Sequence, residues 1–185
     1  TFHTTDVLMA VIGLRFGATG FRDMSKIIAE GFVEKFFYGK HYNRAVHFHK
    51  LMFEACMRLI WESFHNWIRQ SDENNEVVYE ALEKISLLND QDELNENLFK
   101  SGCVDPAVPE LFKLFKVFFQ ILLDTNGALS RFWMSYIDLV IILLNFICAL
   151  REQNWLLHLS LIKEIILWCF AYSRINYSCY LPWYY

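Results

Sequence analysis

The sequence lacks the short motifs that identify most enzyme families. Its 185 residues contain no GxSxG nucleophile elbow, no glycine-rich phosphate-binding loop and no cysteine–histidine signature of a thiol enzyme. These absences leave nucleophilic catalysis without supporting residues. We therefore predict no catalytic residue and no cofactor from the sequence.

Spacings typical of metal sites are also missing. The five cysteines form no CxxC pair, and His47 and His49 are two apart, which on a helix turns them about 200° from each other. The acidic run at 90–96 lacks the central glycine of a calcium loop. We predict no metal site. Because the cysteines are odd in number and fall mostly in apolar helical patterns, we interpret them as the reduced set of an intracellular protein.

The ends of the chain lack the features expected of a complete protein. The sequence opens at Thr1 without an initiator methionine or a signal-peptide pattern. It stops at Pro182-Trp183-Tyr184-Tyr185 without a polar tail. We therefore expect a fragment of a longer polypeptide, whose other segments, or a separate protein, pack on part of its apolar surface.

Strand-like alternation and internal repeats are absent, whereas helical periodicity is strong. Residues 41–70 follow the 3.6-residue period for about eight turns. Their apolar stripe consists of Ala45, Phe48, Met52, Ala55 and Leu59, continued by Cys56, Ile60, Phe64 and Trp67. Thr4-Thr5-Asp6 is typical of a helix N-cap, and Pro182 is expected to prevent a helix at the C-terminus. The pattern predicts an all-α fold.

Residues 131–181 contain two long apolar segments that meet at the polar joint Arg151-Glu152-Gln153-Asn154. This arrangement predicts an αα-hairpin of two mostly buried helices. We expect an irregular multi-helix bundle with this C-terminal hairpin at its centre. It would form a single helical domain over residues 1–185, with a soft boundary near 101–109.

A membrane anchor formed by residues 132–172 is the alternative interpretation of the hairpin. Residues 132–150 are nineteen residues long, which is enough to cross a bilayer. However, Asp138 lies in the first segment, and Lys163 and Glu164 lie at the centre of the second. Each such charge costs roughly 2.5–3.5 kcal/mol at the middle of a membrane. The soluble bundle is therefore favoured over the membrane.

Positive charge is concentrated at the start of the long helix. Residues 70–130 carry twelve acidic and only four basic residues, whereas Lys40, His41, Arg44, His47 and Lys50 crowd the first turns of residues 41–70. The helix macrodipole favours anions at this end. A bound anion would explain the placement, since free backbone N–H groups also point there. These residues are candidate contacts for an acidic partner or nucleic-acid phosphates; the alternative is a solvated basic edge.

Two stretches together resemble a large, multicopy protein family of invertebrate genomes that is derived from mobile elements. The first is GKHYNRAVHFHKLMFEACMRL at 39–59, and the second covers residues 132–185. The shared pieces include Tyr42-Asn43-Arg44-Ala45, His49-Lys50, Phe132-Trp133, Ser135-Tyr136, Asn154-Trp155, Phe170-Ala171-Tyr172 and Asn176-Tyr177.

The resemblance implies an element-encoded nuclear protein with a transposase-like role in its full-length form. No catalytic residue of a known transposase class matches a position in this chain. The sequence therefore predicts a non-catalytic helical interaction module, making protein contacts and weak nucleic-acid contacts through the basic helix start.

Overall fold

The computed structural model describes residues 2–28, 42–70, 82, 107–125 and 127–184. These residues are helical apart from short turns, and none of them lies in a strand. The helices are α1 (Phe2–Phe16), a π-helical turn (Gly17–Phe21), α2 (Arg22–Ile28), α3 (Tyr42–Gln70), α4 (Ala107–Thr125), α5 (Gly127–Arg151), α6 (Trp155–Ala171) and α7 (Ile175–Tyr184). The predicted all-α class is confirmed.

The chain divides into two compact units. The first unit comprises Thr1–Arg58 and Phe132–Tyr185, and the second unit comprises Leu59–Arg131. Helices α3 and α5 each contribute residues to both units. Much of the soft boundary expected near 101–109 lies outside the described residues, and the single domain stays a prediction.

The core of the first unit is built around Tyr136 of α5, which has no solvent exposure. Its ring meets Phe16 of α1 edge-on at 5.3 Å and Phe21 at 5.0 Å between ring centroids. Phe21 reaches this position because the chain kinks at Gly20, whose φ of 83° favours glycine. Aromatic pairs in these geometries contribute about 0.5–1.5 kcal/mol each beyond their area.

The hairpin of α5 and α6 is joined by a tight three-residue turn. Gln153 adopts a left-handed conformation with a φ of 55°, and the Asn154 N–H donates to the Ala149 carbonyl at 3.0 Å. The Asn154 side chain then accepts a hydrogen bond from the Leu157 N–H and caps α6. This is a Schellman ending followed directly by an N-cap. The predicted hairpin and its polar joint are confirmed. The expectation that both helices are mostly buried is wrong for α6, in which only His158, Leu161, Ile162, Ile165 and Cys169 of 17 residues are buried.

The turn between α6 and α7 repeats the same ending. Ser173 is left-handed with a φ of 53°, and the Arg174 N–H donates to the Cys169 carbonyl at 2.9 Å. Helix α7 then runs back along α6, since Tyr184 reaches within 6.0 Å of Trp155. Three consecutive helices, α5 to α7, are thus connected by two turns of one type.

Three local predictions were wrong. Thr4 and Thr5 do not cap α1, because the helix already begins at Phe2 and both side chains are buried inside it. Pro182 does not prevent a helix, because it lies in the last turn of α7, where only the hydrogen bond to the Ser178 carbonyl is lost. Leu59, expected on the buried stripe of α3, is 68% exposed, and Ala55 is also exposed.

The second unit contains an aromatic contact between the later half of α3 and α4. The buried Phe64 meets Phe115 edge-on at 5.2 Å and Phe118 at 5.4 Å. Trp67, one turn further along α3, lies 5.6 Å from Phe118. These rings supply the apolar area that holds the two helices together.

One helix in the described part of the chain, α5, is long and apolar enough to cross a membrane. Its most apolar window has a mean hydropathy of 2.0, and 56% of that window is buried inside the protein. Asp138 of α5 and both Lys163 and Glu164 of α6 are exposed. Core helices of soluble proteins have the same length and composition.

We expect Gln153→Gly to stabilise the protein by about 0.5–1 kcal/mol, because a non-glycine residue pays roughly 1–2 kcal/mol in the left-handed region. Thermal unfolding should show a midpoint raised by about 1–4 °C for a chain of this length. Glu152→Gly in the same turn is the control, since Glu152 has a negative φ and gains only backbone freedom. Equal effects of the two variants would contradict this account of the turn.

Candidate functional site

The predicted basic residues that the structure describes lie together on α3. Arg44, His47 and Lys50 are all exposed, and their spacing of three places them on one helix face. The opposite side of the helix is buried through Ala45 and His49. Lys40 and His41 lie outside the described residues. The three described side chains form what we call the basic face of α3.

The first three turns of α3 contain no acidic residue. The first carboxylate on α3 is Glu54, which pairs with Arg58 at 2.6 Å, so the two largely neutralise each other. His47 and Lys50 form no ion pair with any residue that the structure describes. The first three turns of α3 thus carry basic and no acidic side chains at a helix N-terminus, where the macrodipole adds positive potential.

His49 belongs to the same sequence cluster but has a different role. It is 2% exposed, and its Nδ1 lies 3.1 Å from the hydroxyl of the buried Tyr136. Burial lowers the pKa of His49 to about 4, so the imidazole is neutral at physiological pH. Burial also raises the pKa of Tyr136 well above its usual range. The pair is a neutral hydrogen bond between α3 and α5, and it fixes which side of α3 faces outward.

Arg15 forms a polar connection that the sequence analysis missed. Its guanidinium donates to the Ser135 hydroxyl at 3.0 Å and to the Tyr172 hydroxyl at 2.9 Å. The same group lies over the rings of Phe16 and Trp168 at 5.4 and 5.3 Å. One side chain of α1 thus joins α5 and the end of α6. Its partners lie 120 and 157 residues away in sequence, so no local pattern could have indicated them.

His158 of α6 is enclosed by aromatic rings. It is 3% exposed and stacks between Phe146 at 4.7 Å and Trp155 at 5.3 Å. Neither ring nitrogen has a hydrogen-bond partner in the described part of the chain. Desolvation lowers the pKa of His158. We interpret it as a packing residue of the hairpin.

Metal ligands do not converge anywhere in the described residues, where no group of three or more candidate side chains could hold an ion. The described cysteines, Cys56, Cys148, Cys169 and Cys179, are free thiols. A small cleft of about 290 Å³ in the second unit is lined by Trp67 and Phe118 with amide and hydroxyl groups and no charge. This volume lies at the lower limit of ligand pockets.

Helices α6 and α7 carry much exposed apolar surface. Trp183 is 92% exposed, Leu156 82% and Leu167 70%. Ile175, Phe170, Tyr180 and Trp155 are also more than half exposed. Where exposed apolar side chains form a contiguous patch, they mark a binding site.

The chain belongs to the family described as domain of unknown function DUF8702. The family model matches residues 1–185. No curated protein and no solved structure is significantly similar to the chain. Family membership carries no activity with it, so the invertebrate and mobile-element origin suggested by the resemblance remains a proposal.

Lowering the pH should destabilise the protein through His49. Because its pKa is about 4 in the folded state and near 6.5 when unfolded, the unfolded chain binds more protons between these values. The contribution of neutral His49 to the free energy of unfolding is complete above pH 6.5. It falls by about 3 kcal/mol as the pH is lowered from 6.5 to 4, where it is lost.

The measurement is urea unfolding at pH 7.5, 6, 5 and 4.5 for the parent chain and His49→Asn, which retains a polar atom for Tyr136. The variant should lose much of the pH dependence. His47→Asn, an exposed histidine two residues away, should retain it. If the free energy of unfolding of His49→Asn fell with pH as steeply as that of the parent chain, the assignment of this pH dependence to His49 would be wrong.

Proposed function

We propose that the chain is a non-catalytic helical interaction module of a mobile-element-derived protein. It makes protein contacts and a weak contact to nucleic-acid phosphates through the basic face of α3. The observation that supports this best is the exposure of Arg44, His47 and Lys50 on one face, with no acidic residue between Tyr42 and Phe53.

Phosphate recognition relies on basic side chains that reach the nucleic-acid backbone. Arg44 offers a planar fork of donors and Lys50 a flexible point charge, and both types contact phosphates in protein–nucleic acid complexes. Among the described residues, two fixed charges and one histidine take part, with Lys40 and His41 as further candidates, and the whole chain carries a net charge of −4. The contact is therefore weak and depends strongly on salt.

Protein contacts are supported by a different set of residues. The apolar side chains of α6 and α7 are too numerous and too exposed for a surface that meets only water. The proposed mobile-element origin and a nuclear, intracellular location rest on the sequence resemblance and on the reduced set of cysteines.

Reversing one charge on the basic face should weaken binding to DNA. We expect the parent chain to bind a fluorescent duplex with a slope of log K against log salt of about −2 to −3, and Arg44→Glu to reduce that slope by about one or more. Fluorescence anisotropy between 25 and 200 mM salt measures both. Lys50→Glu should act in the same direction.

Arg69→Glu is the matched control. Arg69 is exposed on the same helix, 25 residues further along the chain than Arg44, and its reversal changes the net charge equally. If Arg69→Glu weakens binding as much as Arg44→Glu, the effect is one of overall charge. Salt-independent binding, or none, would exclude the phosphate contact.

The alternative function is a fragment of an integral membrane protein anchored by residues 132–172. It is favoured by the length and hydropathy of α5. It is disfavoured by the burial of most of that helix against other parts of the protein and by the exposed Asp138, Lys163 and Glu164.

Carbonate extraction of cells expressing the 185-residue chain separates the two functions. We expect the chain in the supernatant, because an interaction module leaves the membrane when ionic contacts are disrupted. A known spanning protein in the same cells should stay in the pellet. Retention of the chain in the pellet would favour the membrane anchor.

A further inference from the structure

The guanidinium of Arg15 forms no ion pair with any residue that the structure describes. Two acids lie nearby along the neighbouring helices, Asp138 one turn after Ser135 on α5 and Glu164 one turn before Trp168 on α6. Neither of them forms an ion pair within the described part of the chain. Arg15 lies in the last turn of α1, where the helix macrodipole favours a cation. This position does not supply a carboxylate partner for its N–H groups.

The hydrogen bonds of Arg15 fix the guanidinium and leave part of it unused. Nε and Nη2 each donate to the Ser135 hydroxyl, at 3.3 and 3.0 Å, and Nη1 donates to the Tyr172 hydroxyl at 2.9 Å. A guanidinium has five N–H groups, so one on each terminal nitrogen has no acceptor among the described residues. The hydroxyl hydrogen of Tyr172 has none there either, whereas Ser135 donates to the Phe132 carbonyl at 2.7 Å. The unused groups of the cluster are therefore hydrogen-bond donors.

Aromatic rings also hold the guanidinium in place. Its carbon lies 5.3 Å from the ring centroid of Trp168 and 5.4 Å from that of Phe16, which is within the range of cation–π contacts. A side chain held by two hydroxyls and two rings binds an anion without first losing rotational freedom. Arg15, Trp168 and Tyr172 are each partly exposed, so the cluster lies at the surface of the first unit.

We propose that this cluster binds a carboxylate of a partner protein, from an aspartate or glutamate side chain that lies between apolar residues. A carboxylate is planar and accepts two parallel N–H bonds from the two terminal nitrogens of a guanidinium. Its single negative charge matches the single positive charge of Arg15. A phosphate group carries about −1.5 to −2 at neutral pH and would need a further cation. The inference names one contact of the proposed interaction module and therefore rests on that function.

Exposed apolar side chains precede two members of the cluster in the sequence. Leu14, next to Arg15, is 54% exposed, and Leu167, next to Trp168, is 70% exposed. Arginine, tryptophan and tyrosine, the residue types of the cluster, are enriched among the residues that dominate binding at protein interfaces. Apolar contacts around such residues exclude water and so strengthen a charged hydrogen bond. We therefore expect apolar side chains on both sides of the carboxylate of the partner.

Nuclear magnetic resonance of the parent chain tests the site without any substitution. Sodium acetate replaces sodium chloride at constant ionic strength, and the Nε–Hε signals of the arginines are assigned through their bonded neighbours. The signal of Arg15 should shift along a saturating curve with a Kd on the order of 10 mM. The signal of Arg151, an exposed arginine at the end of α5, should shift little. An unmoved Arg15 signal would overturn the proposal. Tighter binding of inorganic phosphate than of acetate would also overturn it, because the ligand would then be a phosphate.

A pair of labelled peptides tests the chemistry of the partner. One peptide has a single glutamate between leucines, and the other has glutamine at that position, so they differ only in the carboxylate. In fluorescence anisotropy, the parent chain should bind the glutamate peptide about fivefold more tightly or better. Arg15→Gln should remove this preference. Arg151→Gln changes the net charge equally and should retain it.

Circular dichroism of both variants shows whether they are folded, and the acetate titration of the parent chain decides the matter if Arg15→Gln is not. Equal affinity of the parent for the two peptides, or a preference that persists in folded Arg15→Gln, would contradict the proposal. Neither measurement involves DNA or the basic face of α3. A failure here is therefore distinguishable from a failure of the nucleic-acid contact.

Discussion

The hydrogen bond between His49 and Tyr136 is the interaction on which the first unit depends. Tyr136 is fully buried where α1, the π-helical turn, α3 and α5 meet, so its hydroxyl has no access to water. A buried hydroxyl without a partner costs about 1–3 kcal/mol. The imidazole removes this cost at 3.1 Å, and it does so as a neutral group because burial lowers its pKa to about 4. The aromatic core can close around a phenol only because that partner is present.

The same bond determines which residues of α3 face outward. Residues 44, 47 and 50 span about 120° of the helix circumference, and the middle of this arc lies about 160° from His49. With His49 turned into the core, this side of α3 faces outward, and Arg44, His47 and Lys50 are exposed. The basic face and the core contact are therefore two sides of one constraint. A cluster that seems uniformly cationic in sequence is divided by the fold into a structural histidine and three surface groups.

Much of the architecture can be predicted from the helical periodicity of apolar residues in the sequence. The long helix α3, the hairpin of α5 and α6 and its polar joint were all predicted, because each rests on local spacing. The errors arose where tertiary contacts outweigh local rules. Thr4 and Thr5 are typical N-cap residues, but both lie within α1 and are buried in the core. Pro182 is tolerated because it lies in the last turn of α7. Arg15 could not be identified, since its partners Ser135 and Tyr172 lie far away in the chain. Of the candidate site, Arg44, His47 and Lys50 are exposed on α3, Lys40 and His41 lie outside the described residues, and anion contact by this cluster stays a prediction.

The connection between the two units has a consequence for the history of the chain. The second unit is one continuous insertion, Leu59–Arg131, between two segments of the first. Both junctions fall inside helices, between Arg58 and Leu59 of α3 and between Arg131 and Phe132 of α5. Insertions that are gained or lost freely are usually joined through exposed loops. Removal of residues 59–131 would join α3 directly to α5 within one helical turn. The buried sides of the two helices would then have to match in their rotation about the helix axis. The two units are therefore expected to have been inherited together.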